Sequence, residues 1–165
     1  MISIWLAPAE EDAAYLQEII NELAHEFQVP VFFPHCTLIS PLDKNADEIE
    51  NCLSIAGEKT VPIYVTLAGI SHSSTIWKTV FMELEESPGL IDLQQRVIDQ
   101  VPSVPPYDFK PHISLIYKKM PIELKEEIIC NLAVRNSYKM DKIIAIKTGP
   151  NVEQWEKVLE VTLHA

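Results

Sequence analysis

The chain has 165 residues, 47% of them apolar, and a net charge of −11. This length suits one domain with a substantial core, and so acidic a chain lacks the basic surface that binding a long nucleic acid needs. Because no apolar run is long enough for a membrane helix and the N-terminus lacks a secretory signal, we expect a cytoplasmic location. We also expect a monomer.

The three cysteines, Cys36, Cys52 and Cys130, are an odd number and show no CxxC spacing. This argues against a disulfide framework and against a cysteine-based zinc site. We expect all three to be reduced, buried thiols that pack as small apolar side chains.

The first half of the chain alternates predicted strands with predicted helices. Apolar side chains at helical spacing predict a helix over residues 10–28, with three acidic residues in its first turn, where the helix dipole favours them. A second helix is predicted from Asn45, where Glu48 completes a capping box. Strands are predicted at residues 2–8, 31–40 and 61–71.

The second half repeats this order and adds one strand. Ser87 and Pro88 start one predicted helix, and Pro121 opens another. Strands are predicted at residues 75–84, 111–117, 139–148 and 153–163, the last two as a hairpin. The predicted fold class is therefore α+β, with two pseudo-symmetric βαβαβ-type halves, about 1–72 and 73–165. They form a single bilobal domain with mostly antiparallel sheets around a central cleft.

One six-residue pattern occurs twice, as PHCTLI at 34–39 and PHISLI at 111–116. Each copy falls in the second strand of its half. Because strand side chains alternate between faces, His35 shares a face with Thr37, and His112 shares a face with Ser114. If the halves pack about a pseudo-twofold axis, two imidazoles and two hydroxyls converge on one cleft.

Such a set of groups suits in-line displacement at phosphorus. A neutral imidazole takes a proton from the attacking water, and a protonated one gives a proton to the departing oxygen; histidine suits both tasks because its ordinary pKa lies near neutrality. Thr37 and Ser114 can donate hydrogen bonds to the non-bridging phosphate oxygens. His35 and His112 are the predicted catalytic pair, and the sequence leaves open which is the acid.

A metal site is not predicted. Catalytic zinc and iron sites usually have a third protein ligand, often a carboxylate, whereas these motifs offer hydroxyls, which are poor zinc ligands. The sequence also lacks an HExxH or HxH motif. We therefore expect neither a metal nor another cofactor.

These motifs resemble those of the two-histidine (2H) phosphoesterase superfamily, which is defined by paired H-x-[S/T] signatures on a bilobal α+β fold. Within it, SIWLAP at 3–8, FFPHCTLISP at 32–41 and KPHISLIY at 110–117 are most similar to the cyclic nucleotide phosphodiesterases. The resemblance implies metal-independent hydrolysis of a nucleoside 2′,3′-cyclic phosphate to the 2′-phosphate. The other substrate it implies is an ADP-ribose 1″,2″-cyclic phosphate.

The resemblance also implies roles for individual residues. His35 and His112 are the acid–base pair, Thr37 and Ser114 hold the phosphate, and Tyr117 assists phosphate binding. Strand alternation places Tyr117 on the face opposite Ser114, so its role requires the strand to end or turn there. By family analogy, His112 activates the water and His35 protonates the leaving oxygen.

A nucleotide substrate would use an aromatic platform for its base. Trp77 lies in the predicted strand over 75–84 and could flank the cleft, with core packing as the alternative. The expected partner is thus a small nucleotide. Two other functions stay open: an RNA 2′,5′-ligase-like enzyme that acts on RNA ends, and a non-catalytic nucleotide-binding module.

Overall fold

The computed structural model describes residues 1–58 and 60–164 of the chain and has an α+β fold. Over these residues it contains four helices: α1 (Glu10–Phe27), α2 (Ala46–Gly57), α3 (Pro88–Gln100) and α4 (Ile122–Asn131). The strands are β1 (Ile2–Pro8), β2 (Cys36–Leu42), β3 (Ile63–His72), β4 (Val80–Leu84), β5 (His112–Ile116), β6 (Ser137–Lys147) and β7 (Glu156–Thr162). Two short 3₁₀ helices lie at Ile76–Lys78 and Val152–Gln154.

All strand pairs of the described residues are antiparallel. One group has the order β2–β1–β6–β7, and the other has the order β5–β4–β3. The groups meet twice: the start of β6 pairs with β3, and β2 pairs with β5 at Cys36 and Ile113. Strand pairing therefore crosses the two sequence halves, because β3 pairs with second-half strands and β6 pairs with β1.

Alternation along the strands separates a core face from an open face. Ile4, Leu6, Leu38 and Leu115 are fully buried in the main core, against which the helices pack. Trp5 alternates with these residues of β1 and belongs to a second, smaller apolar cluster with Ala7, Ile144 and Ile146. The open face carries the histidines and hydroxyls of the two motifs.

Most predicted elements are present, and the differences have local causes. The capping box of α2 is confirmed, since Glu48 N donates to Asn45 Oδ1 over 3.1 Å and Asn45 N donates to Glu48 Oε2 over 2.8 Å. The strand predicted at 31–40 starts only at Cys36. Pro34 has no N–H to donate to a neighbouring strand, so this segment stays irregular and His35 lies just before β2.

Two further expectations need correction. The strand predicted at 75–84 starts at Val80, because Thr75–Thr79 close a 3₁₀ turn in which Lys78 N donates to Thr75 O. All three cysteines are free, but only Cys36 is buried. No helix of the described residues combines the length and the apolar character that crossing a bilayer requires.

Candidate active site

The two motifs lie side by side because β2 and β5 are neighbours. Cys36 is directly opposite Ile113, and both side chains are fully buried in the core. In an antiparallel pair this register places His35 opposite Ser114 and Thr37 opposite His112. Residues directly opposite each other have Cβ atoms about 5 Å apart, so four polar side chains share one face of the sheet. A local pseudo-twofold axis passes between the two buried residues.

Both histidines are held in the same way. His35 Nδ1 lies 2.6 Å from the carbonyl oxygen of Phe33, and His112 Nδ1 lies 2.8 Å from that of Lys110. A carbonyl can only accept, so Nδ1 donates in each case and carries the proton of the neutral ring. Nε2 is then left unprotonated. Each imidazole can therefore accept a proton at Nε2 or, once charged, donate one from it.

The protein environment lowers the pKa of both histidines. Burial lowers the pKa of His35 from 6.5 to about 3; the hydrogen bond to Phe33 opposes this shift, and nearby His112 adds to it. Burial also lowers the pKa of His112, again opposed by its carbonyl hydrogen bond and reinforced by the charge of Lys78. Both rings are therefore neutral in the ligand-free protein at pH 7.

A cavity of about 490 Å³ lies over this face of the sheet, and we call it the central cleft. All six predicted site residues line it: His35, Thr37, Trp77, His112, Ser114 and Tyr117. The fold thus brings the predicted set together, and other side chains, which the motifs did not indicate, complete the walls.

Tyr117 reaches the cleft because β5 ends at Ile116. Beyond the strand end, alternation no longer applies, and the hydroxyl lies 3.5 Å from His35 Nε2. Its ring stacks on Phe32 with centroids 3.8 Å apart. Burial raises the pKa of the hydroxyl, so Tyr117 is a neutral donor or acceptor beside the two histidines.

Trp77 lies in the 3₁₀ helix and is 39% exposed, so it is not a core residue. Its ring meets Tyr117 edge-on with centroids 5.5 Å apart, and it lies 5.7 Å from the ring of Trp155. Ser114 Oγ donates to the Trp77 carbonyl over 2.9 Å. Ser114 must therefore exchange this hydrogen bond before it can donate to a phosphate.

Several residues that line the cleft were not predicted from the sequence, among them Trp5, Lys78 and Trp155. Trp5 is opposite Thr37 in the β1–β2 register, and its ring stacks on His35 with centroids 3.4 Å apart and planes 7° apart. Strand alternation could have indicated this position, because Trp5 lies on the face of β1 opposite that of the core residues Ile4 and Leu6. Lys78 and Trp155 lie in or beside 3₁₀ turns and had no such signal.

The residue chemistry offers little to a metal ion. No group of three or more His, Cys, Asp or Glu side chains in residues 1–58 and 60–164 is placed to hold one. None of the described residues that line the central cleft is Asp or Glu.

Paired H-x-[T/S] segments on adjacent strands of a bilobal α+β fold define a two-histidine phosphoesterase. The chain belongs to the cyclic phosphodiesterase-like protein family, whose model matches residues 1–163. The protein is thus an enzyme of the cyclic phosphodiesterase class, a phosphoric diester hydrolase. This favours catalysis over the alternative of a non-catalytic nucleotide-binding module.

Known proteins resemble the chain over nearly its whole length. A cyclic phosphodiesterase of Arabidopsis thaliana is 22% identical over 171 residues, which cover 98% of this chain and 94% of the relative. The protein TT0787 of Thermus thermophilus superimposes with a TM-score of 0.66 at 16% identity, covering 98% and 97% of the two chains. E. coli LigT complexed with 3′-AMP gives a TM-score of 0.65 at 15% identity, covering 99% and 98%.

Proposed function

We propose that the protein hydrolyses a nucleoside 2′,3′-cyclic phosphate to the 2′-phosphate without a metal ion. The observation that carries this proposal is the register of β2 and β5, which puts two Nε2 acceptors and two hydroxyls on one face of the sheet. An ADP-ribose 1″,2″-cyclic phosphate, hydrolysed to the 1″-phosphate, has the same five-membered ring and suits the same groups.

In the proposed reaction, water attacks phosphorus in line with the ribose O3′. His112 Nε2 takes a proton from the water as the new P–O bond forms. The P–O3′ bond breaks, and His35 Nε2–H gives its proton to O3′. One water is consumed, and the phosphate stays on O2′. His112 then releases its extra proton to solvent and His35 takes one up, which restores both imidazoles.

The surroundings of the two histidines support this division of roles. His112 is half-buried and within reach of solvent, whereas His35 is 5% exposed. The base needs access to water, which favours His112. His35 stacks on Trp5, and an indole face stabilises a cation placed over it, which favours His35 as the group that carries the proton. Because burial lowers the pKa of His35 to about 3, the indole contact alone does not keep the ring protonated, and the negative phosphate of the bound substrate has to supply the remaining stabilisation of the imidazolium.

Thr37 and Ser114 are the proposed ligands of the non-bridging phosphate oxygens, together with the Tyr117 hydroxyl. We propose Trp77 as the platform for the base, since its exposed ring lies at the wall of the cleft. E. coli LigT, which shares the fold, has been crystallised with 3′-AMP, and this supports a small nucleotide as the ligand. The acidic net charge also favours a small nucleotide over a long nucleic acid.

An RNA end is the second candidate substrate, and one observation favours it. A neighbouring cavity of about 720 Å³ shares Trp5 and Trp155 with the central cleft and gives room for a second nucleoside. Its lining carries Glu10, Glu153 and Glu160 as well as Lys142 and Lys157, and Lys157 pairs with Glu160, so the cavity offers no net positive charge to a phosphate backbone. Turnover of 2′,3′-cyclic AMP should therefore exceed that of an oligonucleotide with the same end; the opposite ranking would favour the RNA-end enzyme.

The direct test is a product assay on 2′,3′-cyclic AMP that separates 2′-AMP from 3′-AMP. We expect 2′-AMP, formed equally well with and without a chelator. His35→Ala and His112→Ala should each lower the rate by about 10² to 10⁴. His164→Ala, which changes an exposed histidine outside the cleft, is the matched control. A rate abolished by the chelator and restored by zinc would refute the mechanism.

A further inference from the structure

The central cleft is symmetric in its motifs but not in its neighbours. Each histidine lies beside an aromatic residue of the adjacent strand. Trp5 of β1 is opposite Thr37, and Phe81 of β4 is opposite Ser114. Trp5 stacks on His35, whereas Phe81 meets His112 edge-on with centroids 5.6 Å apart. The difference between the two sides is therefore set by residues outside the motifs.

Lys78 adds a positive charge on the His112 side. Its Nζ lies 4.3 Å from the centroid of the Phe81 ring, and the residue is half-buried in the wall of the cleft. Lys78 lies three positions before Phe81. The equivalent position on the other side, three before Trp5, is the buried Ile2. The pseudo-symmetry of the site thus gives Lys78 no counterpart on the His35 side.

The turn that carries Lys78 is fixed by hydrogen bonds from three directions. Ser73 Oγ donates to the Lys78 carbonyl over 2.5 Å, and Thr79 Oγ1 donates to the Lys118 carbonyl over 2.8 Å. Ser114 Oγ, from the second motif itself, donates to the Trp77 carbonyl. The ammonium group is therefore presented to the cleft by an ordered backbone.

The charge of Lys78 is not neutralised by the described residues. Across residues 1–58 and 60–164 it forms no ion pair, and no acidic side chain among them lines the cleft. In a chain of net charge −11, this concentrates positive potential where the two histidines lie. An anion that enters the cleft meets an ammonium able to donate charge-assisted hydrogen bonds.

We propose that Lys78 binds the phosphate of the substrate on the His112 side and, through its charge, makes His112 the base rather than the acid. This inference rests on the proposed function. As water attacks, negative charge grows on the non-bridging oxygens, and the ammonium group of Lys78 stabilises that charge. Before the attack, the same positive charge disfavours an imidazolium at His112 and so keeps this ring neutral, ready to accept the proton. Lysine at this position thereby distinguishes two histidines that the motifs leave equivalent.

Several other titratable groups surround His112, and their effects on its pKa have to be distinguished from the effect of Lys78. They are Glu83, its partner in the β4–β5 register, His35, Tyr107, and Lys110 with its ion-pair partner Asp108 at 3.4 Å. Replacing Lys78 alone leaves all of these in place, so a change in the titration of His112 reports the lysine.

The experiment compares Lys78→Met, Lys78→Arg and a control, Arg96→Met, which removes one positive charge from the exposed side of α3. Binding of inorganic phosphate is measured by calorimetry, and the histidine ring protons are titrated by NMR in the ligand-free protein. We expect Lys78→Met to weaken phosphate binding by about 10-fold and to raise the pKa of His112, with Lys78→Arg and Arg96→Met close to wild type.

Unchanged phosphate binding and an unchanged His112 titration in Lys78→Met would overturn the inference. Neither readout needs turnover, so the outcome is separate from that of the proposed reaction. If the wild-type protein hydrolyses 2′,3′-cyclic AMP but Lys78→Met matches it in both measurements, the reaction stands and the role of Lys78 falls. If no cyclic phosphate is hydrolysed but both measurements change, Lys78 remains an anion ligand and the proposed function falls.

Discussion

Replacing Trp5 by leucine removes the ring on which His35 lies and should weaken the proposed general acid. The centroid distance of 3.4 Å and the interplanar angle of 7° place the imidazole flat on the indole. In a desolvated site such a cation–π contact is worth about 2 kcal/mol, which corresponds to about 1.5 pH units in the pKa of the imidazolium. At a pH above that pKa, the protonated fraction then falls by about 30-fold, and kcat falls with it.

The assay is kcat for 2′,3′-cyclic AMP from pH 5 to 9. The acid must be protonated in the substrate complex, where the bound phosphate raises the pKa of His35 above its ligand-free value. A lower pKa of His35 in that complex moves the alkaline limb of the profile to lower pH in Trp5→Leu. Trp5→Phe keeps an aromatic face and should lie between the two. Trp5 is 3% exposed, so urea unfolding must show that each variant is folded during the assay. If kcat falls while the alkaline limb stays in place, Trp5 acts by packing alone and the reasoning is wrong.

Two further predictions concern stability. Burial lowers the pKa of His35 to about 3, so between pH 6.5 and 3 the unfolded chain binds a proton that the native protein does not, and stability falls as pH falls through this range. By pH 4 this loss of unfolding free energy amounts to about 3 kcal/mol, and His35→Gln should remove it. Urea titrations at several pH values measure the effect, and an equal pH dependence of stability in both proteins would contradict the prediction. A Cβ on Gly57 would lie 2.8 Å from Val161 Cγ1, so Gly57→Ala should cost about 1 to 3 kcal/mol. Adding Val161→Ala should recover part of that loss, whereas additive losses would rule out this contact as the cause.

The sequence could predict which motif residues line the cleft because spacing and repetition are local signals. A histidine two positions before a hydroxyl residue defines one face of a strand, and the same pattern 77 residues later supplies the second half of the site. The sequence could not predict that β2 and β5 are neighbours, because strand order depends on long-range packing. The register of Cys36 with Ile113 brings the four groups together.

Two residues reach the site because of where strands begin and end: Lys78, which was not predicted, and Tyr117, which was predicted on condition that its strand ends there. Lys78 was predicted in a strand, but its N–H donates to Thr75 O and closes a 3₁₀ turn. Thr79 Oγ1 anchors this turn to the Lys118 carbonyl, 39 residues away. Strand alternation placed Tyr117 on the wrong face, because a five-residue strand ends one position earlier. Element boundaries therefore decided both outcomes.

Each of the two histidines donates from Nδ1 to a backbone carbonyl and keeps an unprotonated Nε2, so these bonds alone cannot divide the work of acid and base. Burial lowers the pKa of both, so neither is charged before substrate arrives. The bound phosphate favours an imidazolium on either side, and the balance then depends on what else each ring touches. Trp5 offers an aromatic face to a cation at His35, and Lys78 opposes a cation at His112. On the proposed mechanism, one side chain on β1 and one in the turn before β4 thus make catalysis asymmetric on a pseudo-symmetric site.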